Sequence, residues 1–178
     1  MTAKNNLNGR KVAVFDMDDT LSDTTQRRHH LDVPKGEKKN WAAFYAACGA
    51  DADQPHFVEM ALSLSAAGVE IVVFSGRLES CRDDTASWLW ARGIEPALMR
   101  FRPEKSFMKS HQLKGMWLDW LVKSGAEVVM AIDDEEANIK MFSEAGLLTL
   151  DAKDVDSTKL KFEELMGKIK KQDSSPQI

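Results

Sequence analysis

Cysteine is scarce in this chain: Cys48 and Cys81 are the only two among 178 residues. They have no metal-ligand spacing and suggest no disulfide framework, so a reducing, cytoplasmic setting is the expectation. No apolar run is long enough to span a membrane, and Met1–Asn6 lacks the apolar region of a secretory signal. Positive charge is not in excess either. The 28 acidic residues outnumber the 24 basic ones, a formal charge of −4, which excludes a general nucleic-acid coat and gives no attraction to a membrane. A local basic patch that recognises a nucleic-acid end remains compatible with that balance. No Gly-x-x-x-x-Gly-Lys-[Ser/Thr] occurs, so the P-loop is missing. Repeats and low-complexity tracts are missing too, and the four histidines, 29, 30, 56 and 111, are scattered and read as non-ligands.

What is present is an ordinary globular composition, 43% hydrophobic and 29% charged, enough for one domain with a sizeable core. Its organising stretch is Val12 to Leu21. An apolar, β-branched run ends in Asp16-Met17-Asp18-Asp19-Thr20, which reads as a buried parallel strand with carboxylates at its mouth. Alternate residues of an extended chain share a side, so Asp16 and Asp18 can address one centre. A lone Asp after a strand is ordinary turn chemistry. Three carboxylates and a threonine together are not.

Strand and helix then alternate. Ser22 to Lys39 is polar and reads as a long loop or the base of a cap, followed by a short alanine-rich helix, Asn40 to Cys48. A helix from Gln54 ends at Gly68, and Val69–Phe74 is a second buried strand ending at Ser75-Gly76-Arg77. A helix over 80–92 leads to a strand at Pro96–Phe101 and a basic loop, Arg102 to Ser106. The next helix, Ser110–Lys123, carries an apolar stripe of Leu113, Met116, Trp117, Trp120 and Leu121. A strand at Val128–Ile132 ends in Asp133-Asp134, and a helix with Ile139 and Phe142 on one side leads to a short strand at Leu147–Leu150. A last helix, Lys159–Lys171, docks through Phe162, Leu165, Met166 and Ile169. The pattern predicts an α/β fold, a Rossmann-like, mostly parallel sheet with helices on both sides and a small helical cap insertion. The expected organisation is a flexible lead-in over 1–10, a single domain over 11–171 with a cap insert at about 22–53, and a disordered tail over 172–178.

Parallel strands would bring Asp16/Asp18/Thr20, Ser75/Gly76/Arg77 and Asp133/Asp134 to one edge of the sheet. Clustered carboxylates stay ionised together only around a cation. Hard oxygen ligands without a thiolate or paired histidine point to Mg²⁺. A serine hydroxyl, backbone N–H groups and a lysine suit a phosphoryl group. Such a site can run phosphoryl transfer through an aspartyl phosphate, with Asp16 as nucleophile and Asp18 as general acid and base. The metal set is then Asp16, Asp18, Asp133 and Asp134.

Phe15-Asp16-Met17-Asp18-Asp19-Thr20-Leu21, Phe74-Ser75-Gly76-Arg77 and Ile132-Asp133-Asp134 resemble motifs I, II and IV of the haloacid dehalogenase-like phosphatases. The resemblance runs from about Val12 to Ala145 and is closest to the 3′-phosphatase half of bacteriophage-type polynucleotide kinase/phosphatase. That half has a similar Ser-Gly-Arg, a Thr-x-x-Trp like Thr85 to Trp88, and an arginine-rich loop before its motif III lysine. The resemblance implies Asp16 as nucleophile, Asp18 as acid/base, Ser75 as phosphate binder and Lys114 as motif III, with Lys109 as its rival. It implies Asp133 and Asp134 as metal ligands, and Thr20, Arg27, Gly76 and Arg77 as substrate contacts. It also departs from the pattern. Asp19 stands where glycine is common, Ser110 stands where the phage enzymes carry aspartate, and the kinase half has no counterpart here.

A signalling receiver domain also combines acids, a hydroxyl and a lysine, but it places its acidic pair first and its acceptor later. A phosphate-binding module without catalysis is the third reading, set against competent residues at every catalytic position. The expected substrate is a phosphomonoester, a nucleotide or a nucleic-acid 3′ end, with a general small-metabolite or mononucleotide phosphatase as the alternative. Arg27, Arg28, Arg100, Arg102 and Lys105 are the basic groups expected to hold a strand.

Overall fold

Apolar runs too short for helices, separated by amphipathic segments with glycine ends, force this chain into alternating strands and helices. The computed structural model describes residues 6–173. Strand β1 (Lys11–Phe15) leads through a tight turn to β2 (Ser22–Asp23), a 3-10 turn at Thr25–His30, helix α1 (Trp41–Ala46) and β3 (Ala52–Asp53). Helix α2 (Pro55–Ala66), β4 (Glu70–Leu78), α3 (Arg82–Trp90) and β5 (Leu98–Arg102) follow. The remainder is α4 (Ser110–Lys123), β6 (Glu127–Asp133), α5 (Glu136–Glu144), β7 (Thr149–Asp151) and α6 (Val155–Asp173).

The main sheet has the order β5-β4-β1-β6-β7, and all of its pairs are parallel. From β1 the chain builds outward through β4 and β5, then crosses back to β6 and β7 on the other side. β1 therefore sits at the switch in strand order, where an open α/β sheet leaves a crevice at its carboxyl edge. Alternation along β1 serves two cores. Ala13 and Phe15 join Phe57, Ala61 and Leu64 of α2, with Leu165 and Ile169 of α6. Val12 and Val14 join Leu118 and Leu121 of α4 and Phe142 of α5. Both faces of the sheet are covered, as a parallel sheet requires.

Residues 22–53 leave the sheet between β1 and α2. Their ends are tied by the antiparallel pair β2–β3, with Ser22 opposite Asp53 and Asp23 opposite Ala52.

Several element boundaries differ from the sequence reading, each for a local reason. β4 continues through Ser75-Gly76-Arg77 to Leu78. β5 begins at Leu98 because Pro96 has no N–H to donate, although Ala97 already donates to the Ile71 carbonyl. α6 starts at Val155, where the Asp154 side chain accepts from the Ser157 N–H. The stripe of α4 is narrower than expected: Leu113 and Leu121 are buried, whereas Met116 and Trp120 are exposed. Leu7 and its neighbours correct the expected loose lead-in. Leu7 is buried in the α4 side of the core, and Gly9 donates to the Gly125 carbonyl at 2.8 Å. The rest of that lead-in, 1–5, and the tail over 174–178 lie outside the described residues. Among the described residues no helix is long and apolar enough to cross a membrane.

The docking of Leu7 gives a test. Leu7→Ala should lower unfolding free energy by about 2–4 kcal/mol, as for a truncated core leucine. Urea unfolding at unchanged slope measures it. A midpoint equal to that of the parent would mean that Leu7 contributes no packing.

Candidate active site

The site grows from the carboxyl ends of β1 and β6, which lie side by side in the sheet. Asp16 follows β1 directly, and its N–H donates to the Ile132 carbonyl at 3.1 Å. Asp133 closes β6 and is buried. Lys114, one turn into α4 and buried, reaches between them: its Nζ lies 2.6 Å from Asp16 Oδ1 and 2.6 Å from Asp133 Oδ2. Asp134 is the third acid, and its carboxylate lies 3.1 Å from Lys153 Nζ. Lys109, by contrast, is exposed at the N-cap of α4, which settles which lysine enters the site.

Asp133 has both oxygens committed, because its Oδ1 also accepts from the Glu135 N–H at 3.0 Å and from Asn138 Nδ2 at 2.8 Å. Asn138 is buried and bonds Ser110 Oγ at 3.1 Å. The sequence reading passed over Asn138. Its only signal was helical spacing after the acidic pair, which any solvated asparagine would share.

Asp16, Asp133 and Asp134 can each bring a carboxylate oxygen within 4.8 Å of the others'. Three carboxylates outnumber the two ammoniums paired with them, Lys114 and the exposed Lys153, so the basin keeps a negative charge that favours a cation. Burial pushes the Asp16 carboxyl well above the usual range, Asp133 and Asp18 push the same way, and Lys114 opposes them. Burial also raises Asp134. Such a cluster is uncomfortable alone and fits a hard cation held by oxygen ligands.

Asp18 lines the same basin, but its carboxylate is held by a second cluster and stands outside the group of three that lie within reach of one ion. Its Oδ1 accepts from Arg27 NH2 at 2.6 Å and from Arg77 Nε at 2.7 Å. Asp51 completes the group: Arg27 Nε and NH2 donate to its two oxygens at 2.8 Å each, and Arg77 NH2 donates to its Oδ2 at 2.7 Å. Two guanidiniums and two carboxylates make a charge-balanced quartet, with Arg27, Arg77 and Asp51 buried. The two arginines hold the Asp18 carboxyl below its usual range against the opposing effect of burial. Arg27 and Arg77, expected to touch substrate, are instead spent on Asp18 and Asp51.

A second layer fixes the quartet. Thr85 Oγ1 accepts from Arg77 NH1 at 3.0 Å, and Trp88 Nε1 donates to the Asp51 carbonyl at 2.7 Å. The Thr-x-x-Trp spacing thus places one turn of α3 behind the arginines. Phe44 of α1 lies under the Arg27 guanidinium, 4.0 Å from ring centroid to Cζ, which ties the insertion to the same group. Asp51 was missed because an acid in Gly49-Ala50-Asp51-Ala52-Asp53 looks like turn chemistry.

Other expected contacts are placed differently. β4 alternation turns Ser75 and Arg77 inward, and Ser75 Oγ accepts from the Arg77 N–H at 3.2 Å. Gly76, between them, lines the carboxylate basin. Thr20 is wholly buried and its hydroxyl has no partner among the described residues. Arg100 pairs opposite Phe74 and lies over Trp120, 4.3 Å from its ring, away from the basin. Arg28 is engaged by Asp19. Asp19 itself has φ +59°, which explains why glycine suits that position, and its carboxylate accepts from Thr24 Oγ1 at 2.6 Å.

The family model of the polynucleotide kinase PNKP phosphatase domain matches residues 10–156. No curated protein gives a significant match. Among solved structures, a chain of the Pnkp1/Rnl/Hen1 RNA repair complex is 18% identical at TM-score 0.66, over 80% of this chain and 42% of that one. This chain therefore spans less than half the length of that relative. The class C acid phosphatase from Bacillus anthracis with tungstate bound is 14% identical at TM-score 0.59, over 95% of this chain and 81% of that one. The D,D-heptose 1,7-bisphosphate phosphatase from B. bronchiseptica, complexed with magnesium and phosphate, is 13% identical at TM-score 0.50, over 79% and 78%. At those identities the likeness is one of fold. The family model, which covers well over half of the sequence, goes further: this chain belongs to the PNKP phosphatase domains and is a haloacid dehalogenase-like phosphatase.

Proposed function

We propose that this domain is a Mg²⁺-dependent phosphomonoesterase that works through an aspartyl phosphate and acts on nucleotide or nucleic-acid 3′-phosphate ends. The observation that carries the proposal is Lys114 Nζ set 2.6 Å from both Asp16 and Asp133, with Asp134 beside them. Asp16, Asp133 and Asp134 would hold the ion, which supplies charge neutralisation for the phosphoryl oxygens. Lys114 adds a donor that stays protonated, because the two carboxylates raise its proton affinity more than burial lowers it.

Asp16 Oδ1 is held by Lys114, and Asp16 is the proposed nucleophile. Its attack on phosphorus forms the acyl phosphate and breaks the ester bond, and the leaving oxygen takes a proton from Asp18. Water then attacks phosphorus, gives its proton to Asp18, and frees Asp16 with inorganic phosphate. Arg27 and Arg77 hold Asp18 by one oxygen and keep it ionised in the absence of substrate. A phosphate dianion nearby raises its proton affinity, so the acid form is made when substrate is bound.

Phosphate release from an oligonucleotide 3′-phosphate in Mg²⁺ tests the reading. Release should exceed that from a hexose phosphate, and EDTA should abolish it. Full turnover after exhaustive chelation would contradict the metal site.

In Asp16→Asn, kcat should fall by more than about 10³-fold, as for loss of a nucleophile, with the circular dichroism spectrum retained. An unaltered kcat would remove Asp16 from the role.

Asp51→Asn leaves two buried guanidiniums facing one carboxylate. Stability should drop by about 3–5 kcal/mol in urea unfolding, as when one partner of a buried pair is removed. In the fraction that stays folded, kcat should fall by about 10²-fold through misplacement of Asp18, with a smaller change in KM. A variant of parental stability and rate would show that Asp51 neither balances nor positions its partners.

A further inference from the structure

Beside the carboxylate basin a groove of about 500 Å³ opens between the insertion and the end of β4. Trp41 and Tyr45, one turn apart on α1, line it with Leu78, Asp84 and Glu104. Their rings are near-parallel, 28° apart with centroids 5.9 Å from each other. Trp41 is 48% exposed, so part of its ring is open to a ligand in the groove. Two segments link the groove to the basin of the proposed chemistry. Gly76 lines the basin and Leu78, two residues on in β4, lines the groove. Arg102 Nε donates to the Gly76 carbonyl at 3.3 Å, and the Tyr45 phenol is in electrostatic reach of Arg102 and Asp18. The segment from Glu104 to Ser110 runs from groove to basin and carries Phe107, 99% exposed.

We propose that this groove seats the nucleobase of a nucleoside phosphate whose phosphate lies in the basin at Asp16 and Lys114. The inference rests on the phosphatase reading and adds to it a base site formed by Trp41 and Tyr45. Volume suits a small ring-bearing ligand, within the roughly 300–1,000 Å³ usual for such sites. The lining sorts the parts of the ligand. Asp84 and Glu104 repel phosphate and can accept hydrogen bonds from ring or exocyclic amino N–H groups. The aromatic faces stack on a base of any sequence, as in single-strand binding sites. A sugar phosphate offers no flat face to these rings. Arg102, which donates to the Gly76 and Met108 carbonyls, would lie near the sugar-phosphate junction.

Two measurements test the base site, one of them independent of turnover. Trp41→Ala should lower the kcat/KM ratio of adenosine 3′-phosphate to glycerol 2-phosphate by about ten-fold, the size of one lost stacking contact. Trp41→Phe should keep that ratio within about three-fold, since a ring remains to stack. A ratio unchanged in Trp41→Ala overturns the proposal. Adenosine itself, titrated into the Asp16→Asn domain, should quench a tryptophan emission component that Trp41→Phe removes. No quenching, or quenching that survives Trp41→Phe, overturns it as well. Quenching that Trp41→Phe removes, together with a parent domain that releases phosphate from no ester, would keep the base site and sink the enzymatic reading alone.

Discussion

A buried ammonium between two carboxylates sets the geometry of the working edge. Lys114 draws together Asp16 and Asp133, which end adjacent strands and would otherwise repel across the sheet. Taking three charges out of water costs several kcal/mol each, and only close pairing with further hydrogen bonds offsets that. Asp133 shows how completely this is met, accepting from Lys114, Glu135 and Asn138. Because Lys114 sits one turn into α4, its bonds also fix the depth at which that helix lies on the sheet. Leu113, Leu118 and Leu121 bury the rest of the helix face. The acids of the basin still outnumber the ammoniums paired with them, and this residual negative charge would favour a cation.

Two residues along the chain, Asp18 lives in the opposite electrostatic world. Burial and neighbouring acids push Asp16 up, whereas Arg27 and Arg77 hold Asp18 down. Environments that drive two carboxyl groups apart are what a divided acid/base and nucleophile role requires. Here the division comes from one turn of backbone. Asp19, in the left-handed region at φ +59°, turns the chain so that Asp18 still lines the basin while its carboxylate meets the arginines. Spacing of i, i+2 brings both to one basin, and the turn gives the two carboxylates different partners.

The parts legible in the sequence are those where local pattern and chemistry coincide. Buried runs at β1, β4 and β6 ended in acids or Ser-Gly-Arg, so their alignment at one edge followed from parallel pairing. Lys114 and Lys109 stayed rivals in the sequence even with the resemblance, since spacing cannot tell a buried lysine from a solvated one, and burial between Asp16 and Asp133 separates them. Asp51 and Asn138 were illegible because each makes its bonds across 24 or more residues or within an ordinary helix start. Arg27 and Arg77 looked like substrate contacts for a similar reason. Their charge is visible in sequence, but the acid that consumes it lies on the far side of the insertion. Arg100 failed by alternation: in β5 it faces Trp120 of α4 rather than the edge. Leu7 shows the converse, a single apolar residue in a polar lead-in that carries no periodic signal and still docks.

The insertion is more than a cover, because the quartet runs through it. Arg27 comes from its 3-10 turn, Asp51 from its return to β3, and Phe44 of α1 lies under the Arg27 guanidinium. The other two members, Asp18 and Arg77, belong to the sheet edge. A rigid-body movement of the insertion away from the sheet would have to separate buried opposite charges, at a cost of several kcal/mol for each pair left open. An insertion tied in this way holds α1, and with it Trp41 and Tyr45, at a fixed distance from Asp18. On the proposed reading, seating of the base and protonation of the leaving oxygen would depend on the same four charged side chains, and a change in this insertion would alter both together.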